Sequence, residues 1–180
     1  MSEPHLWVVS GIPGAGKTTV SRLLALRYLR GVHVEGDLVG HHFIVSGLVA
    51  PDHEPKDEAE AQIQLRRRNI TLLANSFLDS GFSVVVDDVV VSQSVLDRYS
   101  ETLQAPIRFV QLCPALAVVE ARDQGRHKQV LHLWKHLQQE LEVMPRNGLW
   151  VDSSSMSAEE TVDVLLQRAD DAKLAARLAT

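Results

Sequence analysis

The sequence contains little of what marks a secreted, membrane-spanning or nucleic-acid-binding protein. Its 180 residues include a single cysteine, which cannot form an intramolecular disulfide and is typical of a reducing compartment. No apolar run approaches the roughly 20 residues that a transmembrane helix needs. Positive charge is also scarce, since 18 Lys and Arg stand against 23 Asp and Glu and the net charge is −5. These absences predict a cytoplasmic protein that binds neither nucleic acid nor membranes.

The chain does contain enough apolar material for one core. Hydrophobic residues make up 45% of the sequence and the length suits one domain, so we expect residues 1–180 to fold as a unit. The first ten residues lack the charged and apolar regions of a secretory signal. Cys113 closes an apolar run and is expected to be packed rather than reactive.

Residues 11–18 read GIPGAGKT and match the spacing G-x-x-x-x-G-K-[S/T] without a mismatch. Glycines there allow backbone conformations in which successive N–H groups converge on the phosphates of a nucleotide. Lys17 adds positive charge near the β- and γ-phosphates, the Thr18 hydroxyl can ligate Mg²⁺, and the following helix directs its positive end at the same anion. The predicted nucleotide-binding residues of this loop are Gly11, Pro13, Gly14, Ala15, Gly16, Lys17, Thr18 and Thr19.

Hydrophobic periodicity predicts strands that alternate with helices along the whole chain. The predicted strands are 5–10, 32–36, 83–90, 107–112 and 149–152. The predicted helices are 18–30, 58–80, 92–103, 115–124, an amphipathic stretch from 130 to 141, and a last helix opened by a capping box at Ser157 and Glu160. The alternation predicts an α/β fold with a parallel sheet and helices on both faces. We expect the tail after about Asp171 to be frayed or to form a surface helix.

Acidic residues stand where two of the predicted strands end. Asp37 closes the second strand, twenty residues beyond Lys17, and Asp87 and Asp88 close the third. In open α/β sheets, ligands bind outside the carboxyl ends of the strands, so these carboxylates are expected to face the phosphate loop. A carboxylate at the end of the strand beside that loop is placed to orient Mg²⁺ and its waters.

Three further groups of residues are candidates for ligand contact. Arg67 falls on the core-facing stripe of the helix 58–80, where an arginine either snorkels at the edge or binds an anion. His41 and His42 lie just past Asp37, and at least one of them can reach a substrate; the alternative is that both are surface residues. The segment 122–148, which carries Arg122 and Arg126, interrupts the fold between its fourth and fifth strands and is expected to act as a lid over the nucleotide.

These residues together resemble the small P-loop kinases that phosphorylate a hydroxyl group of a metabolite or antibiotic: shikimate kinase, gluconate kinase and, most similar, chloramphenicol phosphotransferase. The resemblance covers about residues 5–168. It rests on the phosphate loop, on Asp37, on the third-strand end VVVDDV, and on the stretch 112–122 with Arg126. It implies a P-loop NTPase-type three-layer sandwich with strand order 2-3-1-4-5, ATP and Mg²⁺ as cofactors, and a small-molecule hydroxyl as acceptor. The chain departs most in residues 38–64, which shape the acceptor pocket.

The resemblance also implies roles for the acids and the lid arginines. Asp37 is expected to meet the acceptor hydroxyl and take its proton. Thr18 ligates Mg²⁺, which Asp87 or Asp37 orients. Asp88 and Arg67 are expected to orient the acceptor. Arg126, with Arg122 behind it, is expected to close over the γ-phosphate as charge spreads in the transition state.

Two other functions remain open at this point. The acceptor can be a nucleoside or nucleotide, which a second phosphate-binding arginine cluster around residues 66–68 would favour. Alternatively, the protein is a nucleotide-dependent switch or accessory protein without an acceptor, although paired acids and a basic lid favour a kinase. The chain contains no Asn-Lys dipeptide and hence no guanine-reading N-K-x-D motif, so we expect ATP rather than GTP. The sequence leaves the oligomeric state undetermined.

Overall fold

The computed structural model of this chain describes residues 3–51, 53–124 and 131–175, and it forms five strands and seven helices within them. The strands are β1 (Leu6–Gly11), β2 (Gly31–Glu35), β3 (Ser83–Asp87), β4 (Ile107–Leu112) and β5 (Leu149–Val151). The helices are α1 (Lys17–Ala25), α2 (Gly36–His41), α3 (Lys56–Asp79), α4 (Gln93–Thr102), α5 (Leu116–Gln124), α6 (Leu131–Val143) and α7 (Ala158–Gln167). None of these helices is both long and apolar enough to cross a bilayer.

The five strands form one parallel sheet in the order β2-β3-β1-β4-β5, as predicted. The chain leaves β1 toward one edge of the sheet to form β2, and it leaves β3 toward the other edge to form β4. The strand order therefore reverses between β1 and β3, whose carboxyl ends lie side by side because Val9 is opposite Asp87. Ligands of open α/β sheets bind at such a reversal.

Each face of the sheet has its own hydrophobic core. Successive side chains of a strand point to opposite faces, so Trp7 and Val9 enter one core while Leu6 and Val8 enter the other. Helices α1, α5 and α7 cover the first core, and α3 and α4 cover the second. All six residues of β1 are buried, which matches the near-continuous apolar runs typical of a central parallel strand.

Helix α1 and strand β3 both end earlier than their apolar runs predict. Beyond Ala25 the chain must turn back toward β2, and Gly31 passes so close that a Cβ there would lie 1.8 Å from the Ala25 carbonyl oxygen. After Asp87, the amide of Asp88 still donates to Val9 O of β1 at 3.3 Å, but Val90 does not continue this ladder. The amide of Val90 instead donates to Ser10 Oγ at 2.9 Å. At this end of the sheet, the Ser10 hydroxyl thus replaces a backbone carbonyl as the hydrogen-bond partner of the chain.

Residues 172–174, beyond α7, are hydrogen-bonded to the sheet, so the prediction that the tail after Asp171 frays or forms a surface helix was wrong for them, and residues 176–180 lie outside the described part of the chain. Strand β5 pairs with β4 only from Val110 onward. The tail covers the remaining backbone, because Phe109 N donates to Ala172 O at 2.8 Å and Leu174 N donates to Ile107 O at 3.0 Å. Unpaired strand edges are seldom left open in native proteins. The predicted capping box at Ser157 and Glu160 is confirmed, and it opens α7.

Candidate active site

The phosphate loop between β1 and α1 adopts a conformation that requires its glycines. Gly14 and Gly16 have φ angles of 85° and 94°, a left-handed region that side chains disfavour. A Cβ on Gly11 would lie 2.8 Å from the Cβ of Ala15, whose amide donates to Ile12 O at 3.0 Å. The loop therefore folds tightly back on itself and presents its backbone at the end of β1.

Helix α1 begins at Lys17, directly after this loop, and its first turn contains no acidic residue. The first four N–H groups of a helix have no partner within the helix, and the helix dipole adds positive potential at the same end. Thr18 and Thr19 are exposed in that first turn, and Lys17 Nζ is 3.4 Å from Ile12 O. This end of α1 is therefore suited to bind an anion.

Asp87 ends β3 next to the strand that leads into the phosphate loop. It is 3% exposed, and its Oδ2 is 2.7 Å from His33 Nε2. Glu35 of β2 is directly opposite Asp87 in the sheet. Burial, and then the charge of Asp87, raise the pKa of Glu35 above its ordinary value. The carboxylates of Asp87 and Glu35 lie on adjacent strands and together form a local negative field that would attract a cation.

Asp37 lies in the first turn of α2, a helix that the sequence did not predict. Strand β2 ends at Glu35, so the expectation that Asp37 closes the strand was wrong by two residues. Its side chain is 70% exposed, and its Oδ1 is 3.7 Å from Arg66 Nη1. That distance is an ion pair rather than a hydrogen bond. Asp37 is thus a solvent-accessible carboxylate held beside a guanidinium.

Asp88 is the centre of a buried network on the opposite side of β3. Its Oδ1 accepts from Arg66 Nη2 at 2.8 Å. Its Oδ2 accepts from Arg67 Nε at 3.4 Å and from the Tyr99 hydroxyl at 2.9 Å. Burial, followed by the charge of Asp88, raises the pKa of the Tyr99 phenol well above its ordinary value, so this hydroxyl stays protonated and donates.

This network changes the role expected for Asp88. The carboxylate is 3% exposed, and both oxygens already accept bonds from protein donors. A carboxylate this buried has little access to a bound molecule, so the direct bond to an acceptor predicted from the sequence would require the surrounding side chains to move. The two acids have different partners because successive side chains of a strand point to opposite faces of the sheet. Asp87 is on the face that α1 covers, and Asp88 is on the face that α3 and α4 cover.

Removing the charge of Asp88 is expected to destabilise the fold. Asp88→Asn would leave two guanidinium groups, on side chains 11% and 15% exposed, without their shared counterion. Breaking a buried ion pair on one side costs on the order of 3 kcal/mol of unfolding free energy. Urea denaturation measures this loss, with Asp79→Asn at the exposed end of α3 as the control. Equal stability of the two variants would show that the network contributes little.

Arg66 is a site residue that the sequence indicated only as part of the basic run 66–68. It follows Ile63 by three residues and precedes Ile70 by four, so it shares the stripe on which Arg67 was placed. A Cβ on Gly40 would lie 2.7 Å from Arg66 Cδ, so α2 approaches α3 closely at this point. Within the described part of the chain, Arg66 Nε is buried without a hydrogen-bond partner. A buried donor of this kind is costly unless a water or ligand satisfies it.

A small cavity next to Arg66, of about 20 Å³, lies between α2, α3 and the loop that joins them, and it has room for about one water molecule. Its lining residues are Gly40, His41, Ile44, Leu48, Val49, Pro51, Gln62, Ile63 and Arg66. Gln62 holds the loop in place, because its Oε1 accepts from Val49 N at 2.9 Å and its Nε2 donates to Gly47 O at 2.8 Å. The cavity brings His41 and Arg66 together, whereas Arg67 lines a different groove.

The two arginines predicted for the lid, Arg122 and Arg126, lie at or beyond the end of α5. Arg122 is in the last turn of α5, within the segment predicted as a lid. Arg126 lies outside the described residues. Across residues 3–51, 53–124 and 131–175, no three His, Cys, Asp or Glu side chains group as a metal site. Magnesium bound with a nucleotide needs fewer protein ligands than that, since phosphate oxygens and water complete its shell.

Cys113, after β4, is expected to be unreactive at neutral pH. Burial raises the pKa of its thiol to about 11. The thiolate is the reactive form, and its fraction falls as this pKa rises above the working pH. At pH 8, a disulfide reagent such as Ellman's reagent should react about 10²-fold more slowly with the folded protein than with the unfolded chain, as follows from the two-unit shift. Similar rates in both states would contradict this prediction.

The fold and the phosphate loop define the class of protein to which this chain belongs, that of P-loop proteins with the architecture of small kinases. Residues 6–144 match the sequence profile described as AAA domain, and the chain belongs to that family. No curated protein matches the chain.

Solved structures similar to this one include kinases of several kinds. A sugar kinase from Janibacter sp. is 18% identical with a TM-score of 0.70, and the alignment covers 94% of this chain and 96% of that one. A gluconokinase from Sinorhizobium meliloti is 21% identical with a TM-score of 0.62 and coverage of 96% and 95%. Thymidylate kinase from Candida albicans is 13% identical with a TM-score of 0.64 and coverage of 97% of both chains. At such identities the likeness is one of fold, and it confirms the predicted P-loop kinase architecture.

Proposed function

We propose that this protein transfers the γ-phosphate of ATP to a hydroxyl group of a small molecule, a metabolite or an antibiotic. The observation that carries the proposal is the ion pair between Asp37 and Arg66. Asp37 follows the carboxyl end of β2, and the phosphate loop follows the carboxyl end of β1 in the same parallel sheet. Phosphoryl transfer depends on positioning and on charge neutralisation rather than on a covalent intermediate. A carboxylate, a guanidinium and an anion-binding helix end are the groups that such a reaction requires.

The nucleotide triphosphate would be bound by the phosphate loop and the start of α1. Gly11, Pro13, Gly14, Ala15, Gly16 and Thr19 would supply backbone and side-chain contacts, and Lys17 would bind the β- and γ-phosphates. The Thr18 hydroxyl and the Asp87 carboxylate offer the oxygen ligands that Mg²⁺ prefers, and Glu35 adds negative charge beside Asp87. Bound there, Mg²⁺ would neutralise phosphate charge as the γ-phosphate is transferred.

Asp37 would act as the general base for the acceptor hydroxyl. Its exposed carboxylate is accessible to a bound molecule, and the Arg66 guanidinium restricts its orientation. A base must first lie within hydrogen-bond reach of the proton that it takes, and only then does its pKa matter. His41 lies on the same short helix as Asp37 and would contact the acceptor.

Arg66 would take the acceptor-binding role that the sequence suggested for Arg67. Arg66 lines the cavity with His41 and carries a buried donor without a partner among the described residues. Arg67 instead contacts Asp88 and the carbonyl of Val89. In this proposal Asp88 acts through the arginines, because its charge holds Arg66 in place beside Asp37.

The segment 122–148 would close over the nucleotide within a single domain of residues 1–180. Arg122 and Arg126 keep the roles predicted from the sequence, in which Arg126 approaches the γ-phosphate and Arg122 lies behind it. Positive charge at that point would stabilise the transition state, and closure would exclude water as a competing acceptor.

A nucleotide acceptor is less well supported than another small molecule. That alternative needed residues 66–68 to form a second phosphate-binding cluster. Arg66 lines the small cavity beside α2, whereas Arg67 and Arg68 line a separate groove, so the three arginines do not converge on one acceptor site. A non-catalytic switch does not require an acceptor site, so it leaves the exposed Asp37 carboxylate beside the buried Arg66 Nε without a function.

A transfer screen tests the proposed function directly. The protein would be incubated with Mg²⁺, ATP and pooled libraries of metabolites, nucleosides and antibiotics, and products would be searched by mass spectrometry for the added phosphate. We expect phosphorylation of at least one hydroxyl compound that is not a nucleotide, and acceptor-dependent thermal stabilisation of the protein. A screen in which only nucleotides are phosphorylated, or in which no compound is, would contradict the proposal.

A further inference from the structure

A second cavity lies on the outer side of Asp88, in the groove between α3 and α4. Its volume is about 470 Å³, within the range of small-molecule sites. Its lining residues are Gln64, Arg67, Arg68, Thr71, Leu72, Asn75, Val95, Arg98, Tyr99 and Thr102. None of these residues lines the cavity beside Arg66, so the two cavities are separate. We call this one the α3–α4 groove.

The charge of the α3–α4 groove has one sign. Arg67, Arg68 and Arg98 contribute three guanidinium groups, of which Arg67 shares the buried Asp88 with Arg66, and no carboxylate is among the described residues that line the groove. The protein as a whole carries a net charge of −5, so a positively charged groove differs from the average charge of the molecule. Guanidinium groups bind phosphate through paired N–H donors with matching geometry.

The inner wall of the groove is rigid, and it retains donor capacity. Tyr99 is 2% exposed, and its hydroxyl is bonded to Asp88. Within the described part of the chain, Arg67 makes two hydrogen bonds, each 3.4 Å long, to Asp88 and to the Val89 carbonyl. A guanidinium carries five N–H donors, and bonds of this length are weak. Arg67 can therefore bind a further acceptor without leaving its place.

The groove also offers apolar surface beside its charges. Leu72 is 62% exposed although it is a large aliphatic residue, and Val95 lies on the facing helix. Burial of such side chains by a ligand is favourable by about 25 cal/mol for each Å² removed from water. A ligand that carries both an anion and an apolar body would match both features.

We propose that the α3–α4 groove binds a phosphate monoester with an apolar or aromatic body, at a site distinct from the nucleotide and acceptor sites. The phosphate contacts Arg67, Arg68 and Arg98, and the body packs on Leu72 and Val95. This proposal does not depend on the proposed function. Within the described residues, Asp88 connects the groove to the proposed acceptor site, because it contacts Arg67 on one side and Arg66 on the other.

Isothermal titration calorimetry with phenyl phosphate tests the site, with the protein saturated by Mg²⁺ and ADP so that the phosphate loop is occupied. Phenol and inorganic phosphate serve as ligand controls, and each should bind more weakly than phenyl phosphate. The double variant Arg68→Gln/Arg98→Gln should weaken phenyl phosphate binding by about tenfold or more, since each lost charged hydrogen bond contributes over 1 kcal/mol. Both arginines are exposed, so the variant should fold normally.

The matched control is Arg27→Gln/Arg168→Gln, which removes the same charge from exposed ion pairs elsewhere. It should leave phenyl phosphate affinity unchanged within about twofold. Equal weakening in both double variants would reveal only long-range electrostatics and would overturn the proposal. Unchanged binding in the groove variant, or no binding at millimolar phenyl phosphate, would also overturn it.

Lys17→Ala, titrated without ADP, distinguishes the groove from the phosphate loop. Loss of phenyl phosphate binding in that variant would place the ligand in the phosphate loop and exclude the groove, whatever the transfer screen reports.

Discussion

Replacing Lys17 with alanine is expected to abolish phosphate transfer while leaving a cooperatively folded protein. Lys17 begins α1 at the phosphate loop, where its charge would offset that of the β- and γ-phosphates. Removing one such electrostatic contact lowers kcat by about 10²–10³-fold. The contact of Nζ with Ile12 O, at 3.4 Å, is long and contributes little to the fold. The transfer assay and thermal unfolding measure the two effects separately.

A matched control distinguishes this loss from a general effect of removing a lysine. Lys173→Ala removes an exposed lysine that pairs with Asp170, far along the chain from the phosphate loop. Its activity should remain near that of the unmodified protein. Full retention of transfer by Lys17→Ala would reject the assignment of residues 11–18 as the phosphate site, and with it the nucleotide half of the proposed function.

Replacing Asp37 with asparagine is expected to lower kcat by about 10²-fold or more, while the affinity for ATP changes by no more than a few-fold. Asparagine has nearly the same shape but cannot take a proton, and loss of a general base commonly costs 10²–10⁴-fold. The side chain is 70% exposed and contacts Arg66 only at ion-pair distance, so the fold should not change. Steady-state kinetics with an identified acceptor, together with ATP titration, give both numbers.

The control for Asp37 is another exposed aspartate, away from the site. Asp79→Asn, at the far end of α3, should leave kcat unchanged. An Asp37→Asn variant with unaltered kcat would remove this residue from the chemistry. The base would then have to be sought among the acids of β2 and β3, of which Glu35 has the raised pKa.

Several features of the site could be read from the sequence because they depend on local chemistry. Residues 11–18 specify a loop whose backbone needs glycine at Gly14 and Gly16, and both have positive φ angles. Alternating strands and helices led to a parallel sheet, and the resemblance to small kinases supplied its order. Ser157 and Glu160 cap α7 as their spacing indicates. Each of these predictions involves residues close together in the chain, or a pattern that many chains of this class share.

Contacts between distant segments were not readable in the same way. Arg66 and Arg67 both suit a core-facing stripe of α3, and only the approach of α2 at Gly40 places Arg66 beside Asp37. The tail was expected to fray because nothing in its sequence shows that β5 leaves the first half of β4 uncovered.

The amino-acid sequence by itself determined the phosphate loop, the alternation of elements and the presence of acids at the ends of two strands, because these follow from backbone conformation and hydrophobic period. Only the tertiary structure decided what each acid contacts. Asp87 and Asp88 are neighbours in the chain, yet the pleat of β3 directs one toward His33 and the other toward Arg66, Arg67 and Tyr99. The partners of a buried charge are set by which helices cover each face of the sheet, and that is a property of packing between segments far apart in the chain.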